Sequence, residues 1–166
     1  MSHIEQDFFS ANPNYSMTLT NELIWNARAY VYQHFAQTTH APTVDDVAAH
    51  FQLGREETIE MFDELNARHA FFLEPGTHDI RIANPFSAVP TDFVVQAQDK
   101  AYYANCAWDA LGIAAALHSD AIINTTYAED EAPITFTIRD GQVQHPEAVV
   151  HLLVPFQNWY DDMVFT

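Results

Sequence analysis

The sequence predicts an α+β fold in which helices come first and strands follow. Three observations predict it. Apolar stripes at helical spacing fill residues 18–69. Ile- and Thr-rich runs separated by turn dipeptides dominate the rest. One alanine-rich segment interrupts those runs. The expected arrangement is an N-terminal winged helix-turn-helix lobe, residues 1–83, packed on a small mixed or antiparallel sheet with a central helix, residues 84–166.

The first helix is read over 18–37, where Leu23, Ile24, Ala27, Tyr30, Val31, His34 and Phe35 recur with helical period. Thr43 followed by Asp46 has the spacing of a capping box and opens a second helix, whose stripe is Val44, Val47, Ala48 and Phe51. Gly54 marks a turn. A third stripe follows through Ile59, Phe62, Leu65 and Ala67. Residues 70–85 then read as two short strands around Pro75-Gly76, which completes the element order of a winged helix. A groove-reading helix must sit among phosphates. The helix that would do so carries Arg55 and Arg68 against Glu56, Glu57, Glu60, Asp63 and Glu64, two positive charges against five negative ones, so nucleic acid is not expected as a partner.

Beyond the lobe boundary near 83–87, a proline-punctuated stretch leads to a strand at Phe93–Val95. Residues 100–121 read as one apolar, alanine-rich helix. Residues 121–128 and 133–143 read as strands with Asp140-Gly141 as a turn, and 147–156 as a third strand ended by Pro155.

The chain has 166 residues, 48% of them hydrophobic, so one domain or two small lobes can bury a core. Its 23 acidic residues face 6 basic ones, a formal charge of -17 that repels nucleic acid and anionic membranes. No stretch is long and apolar enough to span a bilayer, and residues 1–16 lack a signal-peptide pattern. A single cysteine excludes an internal disulfide framework and fits a reducing compartment. A cytoplasmic location is the expectation, and the oligomeric state is open.

That cysteine is the candidate centre. With Asn105 at the helix N-cap, Cys106 falls in the first turn and Asp109 one turn along the same face. The positive end of the helix favours a thiolate, while apolar surroundings push the other way for both groups and favour a protonated Asp109. A soft nucleophile beside a carboxylic acid suits attack on a soft electrophile with protonation of the leaving group. A lone cysteine in an alanine-rich helix also fits a small buried hydrophobe. His118, His145 and His151 lie in the same half of the chain, without a spacing that marks them as partners, and fit surface or core histidines as well.

The segments "NPFSAVPTDFVV", "YYANCAWDALGIAAAL" and "INTTYAEDEAPITFTI", in that order, resemble the organomercurial (alkylmercury) lyase family over roughly 84–166. The resemblance implies protonolysis of carbon–mercury bonds. Cys106 matches the mercury-binding thiolate and Asp109 the acid that protonates the departing carbon. Mercury belongs to the substrate, no resident cofactor is implied, and external low-molecular-weight thiols take part in release. The family shares the metal with a second cysteine, in a strand just after the region matching "WYDDMVFT". This sequence holds no second cysteine, and Tyr127 stands at another position that is often cysteine. The chain is therefore expected to be either truncated before its last strand or a short divergent member. From other classes, a non-catalytic thiol protein that binds or senses soft metals or small ligands, and a winged-helix regulator, are the alternatives.

Overall fold

A computed structural model describes residues 19–144, 149–152, 154–155 and 158–159. The first helix, α1, spans Asn21–Thr38, with Thr20 at its N-cap accepting the Leu23 N–H. It buries Ile24, Ala27, Val31 and Phe35, four members of the expected stripe. In α2, Val44–Phe51, the capping box forms as read. Thr43 Oγ1 accepts the Asp46 N–H at 3.1 Å, and Asp46 Oδ2 accepts the Thr43 N–H at 2.8 Å. Gly54 is the N-cap of α3, Arg55–Ala67. The buried face of α3 is Thr58, Met61, Phe62 and Leu65, whereas Ala67 at its last residue is exposed. Both arginines flanking this helix are ion-paired, Arg55 with Asp45 and Arg68 with Glu64.

A hairpin follows, β1 (Phe72–Leu73) with β2 (Ile80–Ala83). A two-residue turn, Asn84-Pro85, joins β2 to β3 (Phe86–Ser87). Next come β4 (Phe93–Ala97) and β5 (Lys100–Ala104), then α4 (Ala107–Ala116), β6 (Ala121–Thr126), β7 (Pro133–Arg139) and β8 (Gln142–Val143). All eight strands form one antiparallel sheet in the order β1-β2-β3-β5-β4-β6-β7-β8. The sheet is continuous across residues 83–84.

The fold is thus α+β with an antiparallel sheet and helices. Three expectations are corrected. The helix read over 100–121 opens with a five-residue strand. Lys100–Ala104 alternates between exposed or half-buried and buried positions, and pairs with β4 through a turn at Gln98 and Asp99, both at positive φ (51° and 62°). That tight turn has the twist hairpins favour, without the Asn-Gly signal that usually announces it. The helix itself is only the ten residues of α4. The third correction concerns the strand read over 147–156. Its described residues, 149–152, 154 and 155, form no strand, while 145–148, 153 and 156 lie outside the described residues, as do 160–166, where a strand opening was read.

The core lies between one face of the sheet and the helices. Phe35 of α1 stacks on Phe86 of β3 (centroids 5.4 Å apart), and Phe86 meets Tyr102 of β5 at 5.6 Å. Tyr102, otherwise buried, donates its hydroxyl to the Ala36 carbonyl at 2.8 Å and so ties β5 to α1. Residues α4 buries, Ala110, Ile113 and Ala114, join the same core. These contacts fix β5 and α4 in place, and with them the two-residue junction between them.

Candidate active site

That junction is Asn105-Cys106. The β4–β5 ladder ends at the pair Phe93–Ala104, where Thr91 Oγ1 donates to the Ala104 carbonyl at 2.6 Å. On the other side of β5, Phe86 pairs with Ala104. Both flanking strands therefore stop where Cys106 begins. Cys106 has extended backbone (φ -151°, ψ -179°) and is the N-cap of α4. The expected N-cap was Asn105. β5 ends at Ala104, Asn105 follows it outside both elements, and the helix starts one residue later than an Asn105 cap would give, which puts the cap on the cysteine.

The expected pairing with Asp109 survives that shift, because N-cap and N3 face each other across the first turn. The Cys106 thiol donates to Asp109 Oδ2 at 3.6 Å, a weak S–H···O contact. Both side chains are half-buried. Burial pushes the thiol up from its ordinary range. The backbone N–H groups of Asp109 and Trp108 pull the other way, short of a full capping hydrogen bond, and the Asp109 charge pushes it up again. Desolvation outweighs the helix end, so the free thiol holds its proton, against the expectation of a helix-stabilised thiolate. Burial also raises Asp109, while its contact with Cys106 lowers it. The result is a thiol and an acid that share one contact and compete for charge.

Of the histidines, His118 is exposed just past the far end of α4, about 15 Å along a ten-residue helix from Cys106. His151 is exposed, and His145 lies outside the described residues. Neither described histidine is in contact with the pair. Among the described residues no group of three or more His, Cys, Asp or Glu could hold a metal ion.

Two neighbours were not legible in the sequence. Trp108 stands 61% exposed between the pair. Tyr32 of α1 lies within the field of Asp109. Burial raises its hydroxyl, Arg28 lowers it by its charge and a hydrogen bond, and the Asp109 charge raises it. Its hydroxyl donates to the Ala70 carbonyl at 2.9 Å, and the Arg28 guanidinium sits 4.3 Å from its ring centre. Only the packing of α1 against the sheet brings Tyr32 here, so no local spacing could have found it.

The strand–junction–helix centre therefore bears a thiol and an acid in contact. Residues 86–166 match the family model of alkylmercury lyase, MerB. Among solved structures, the crystal structure of the mercury-bound form of MerB2 is similar, with a TM-score of 0.59 and 21% identity over 76% of this chain. At that identity the likeness shows the fold. The chain spans 60% of the length of that protein. Among curated proteins none matches the chain. No helix among the described residues is long and apolar enough to cross a membrane.

Proposed function

We propose that this protein cleaves carbon–mercury bonds by protonolysis, with Cys106 as the mercury ligand and Asp109 as the proton donor. The observation that carries the proposal is the 3.6 Å contact between the Cys106 thiol and Asp109 Oδ2, inside the segment that matches the alkylmercury lyase family. Mercury here is substrate, and the chain's own residues supply the rest of the chemistry.

An organomercurial R–Hg–X meets the thiol; the Hg–S bond forms, X⁻ leaves, and the thiol proton passes to the Asp109 carboxylate it already faces. Mercury drives this transfer because a bound cation lowers the thiol pKa, and thiolate is its preferred soft ligand. Asp109, now neutral in a half-buried setting that favours the neutral form, delivers that proton to the carbon as the Hg–C bond breaks. Hydrocarbon leaves and Asp109 is again a carboxylate beside mercury on Cys106. Exposed Trp108 offers an apolar face to the organic group. Mercury then passes to an external thiol, since Cys106 is the sole cysteine in the sequence. The external thiol is not preorganised beside Cys106, so the rate of this last transfer rises with thiol concentration.

The described part of the N-terminal lobe, residues 19–83, serves as a cover whose α1 carries Tyr32 into the field of Asp109. A DNA-binding role is not favoured, since the arginines flanking α3 already have carboxylate partners. The test is hydrocarbon release from phenylmercury in the presence of excess small thiol. Release that requires Cys106 supports the proposal, and release equal to that of the thiol alone rejects it.

A further inference from the structure

Among the described residues two buried side-chain polar atoms have no hydrogen-bond partner, Ser119 Oγ and Asn84 Oδ1. Ser119 lies beyond the end of α4 remote from Cys106. Asn84 is at the end where Cys106 sits. It forms, with Pro85, the turn between β2 and β3, closed by the pair Ala83–Phe86. Phe86 in turn pairs with Ala104, the last residue of β5. One further step of that antiparallel register sets Pro85 beside Asn105, so the turn lies at the strand–helix junction. A second contact fixes it there. A Cβ on Gly112 would stand 3.1 Å from Pro85 Cβ, so the turn presses on α4. Gly112 is three residues past Asp109 and on its side of the helix. The Asn84-Pro85 turn thus borders the helix and the junction that carry Asp109 and Cys106.

A buried acceptor with no donor costs about 1–3 kcal/mol, and such an atom calls for a donor that another state of the protein supplies. An ionised Asp109 has no hydrogen to offer. A protonated Asp109 has one. We propose that Asn84 is a positioning residue for Asp109: its buried carboxamide oxygen accepts the O–H of the acid while the carboxyl carries its proton, and holds it beside Cys106. The inference rests on the reading of Asp109 as the proton donor. A neutral amide oxygen is a modest acceptor. It orients the O–H without retaining the proton when the carbon takes it, and no other group changes charge.

The test is the infrared C=O stretch of protonated Asp109. It is isolated as the difference between native and Asp109→Asn protein, in acid where circular dichroism shows both folded. Asn84→Leu, similar in size and unable to accept, is expected to move that band toward the position of a carboxyl without an acceptor. Asn84→Ala gives the same reading should the leucine variant fail to fold. A band unmoved by loss of the Asn84 oxygen overturns the proposal. With phenylmercury, the same variant is expected to lower kcat about tenfold with KM little changed, the size of one lost hydrogen bond, and to add nothing in an Asp109→Ala background. Equal losses in both backgrounds would also overturn it. If native protein releases no hydrocarbon, the lyase reading fails by itself, while the infrared band still decides the role of Asn84.

Discussion

The Cys106 thiol and the Asp109 carboxylate meet across the first turn of α4, sulfur to oxygen 3.6 Å, with the cysteine at the N-cap and the acid three residues on. Burial makes both groups harder to ionise; the Asp109 carboxylate adds to that for the thiol, while the contact with the thiol makes Asp109 easier to ionise. The site holds a proton ready on a soft atom that a thiophilic metal can displace.

The first prediction concerns stability against pH. Burial raises Asp109 in the folded chain above its unfolded value. Its favourable contribution is therefore fully present below the unfolded pKa and is lost as pH rises through the folded one. At neutral pH the folded chain carries a desolvated carboxylate. Asp109→Asn should melt higher than native protein at neutral pH, with a gap that closes as the pH falls below the ordinary aspartate range. A native protein that melts higher at neutral pH would mean that Asp109 has a stabilising partner there.

The second concerns the thiol. Burial, with the Asp109 charge added, lifts Cys106 above an ordinary cysteine. The rate of alkylation by iodoacetamide should reach half its maximum at a higher pH than for free cysteine, and Asp109→Asn should bring that midpoint down. The thiol is half-exposed, so it should react in the folded protein. A midpoint below that of free cysteine would restore the helix end as the dominant influence.

How much of this was legible in the sequence depends on the range of the forces involved. The Thr43–Asp46 capping box and the stripe of α1 were readable because they are local. So was the pairing of Cys106 with Asp109, which needs only three residues of helix. The strand Lys100–Ala104 was not. Alanine and tyrosine suit either conformation, and the Gln98-Asp99 turn lacks the usual residues, so the alanine-rich helix was extended through it and the cap misplaced by one residue. The competition between burial and the helix end was visible, but its outcome was not, since it depends on how deeply packing sets the sulfur. The approach of the Asn84-Pro85 turn to α4 and of Tyr32 to the field of Asp109 comes only from strand register and the docking of α1, which no spacing along the chain encodes.

The third prediction follows from one close approach. Gly112→Ala would place a methyl 3.1 Å from Pro85 Cβ, a ring atom with little freedom to yield. Alanine gains about 1 kcal/mol of helix propensity over glycine, against about 1–3 kcal/mol for overpacking. A net loss of about 1 kcal/mol is expected, measured by urea denaturation. A gain in stability would show that the Asn84-Pro85 turn can move off α4.

The division of labour between Cys106 and Asp109 is tested most directly by the intact mass of the protein after a single exposure to phenylmercury, without added thiol. Native protein is predicted to gain one mercury without the phenyl group, and Asp109→Ala to gain one mercury with the phenyl group still attached. Native protein that keeps the phenyl group indefinitely, or an Asp109→Ala protein that sheds it as fast as native, would contradict the assignment of Asp109 as the proton donor to carbon.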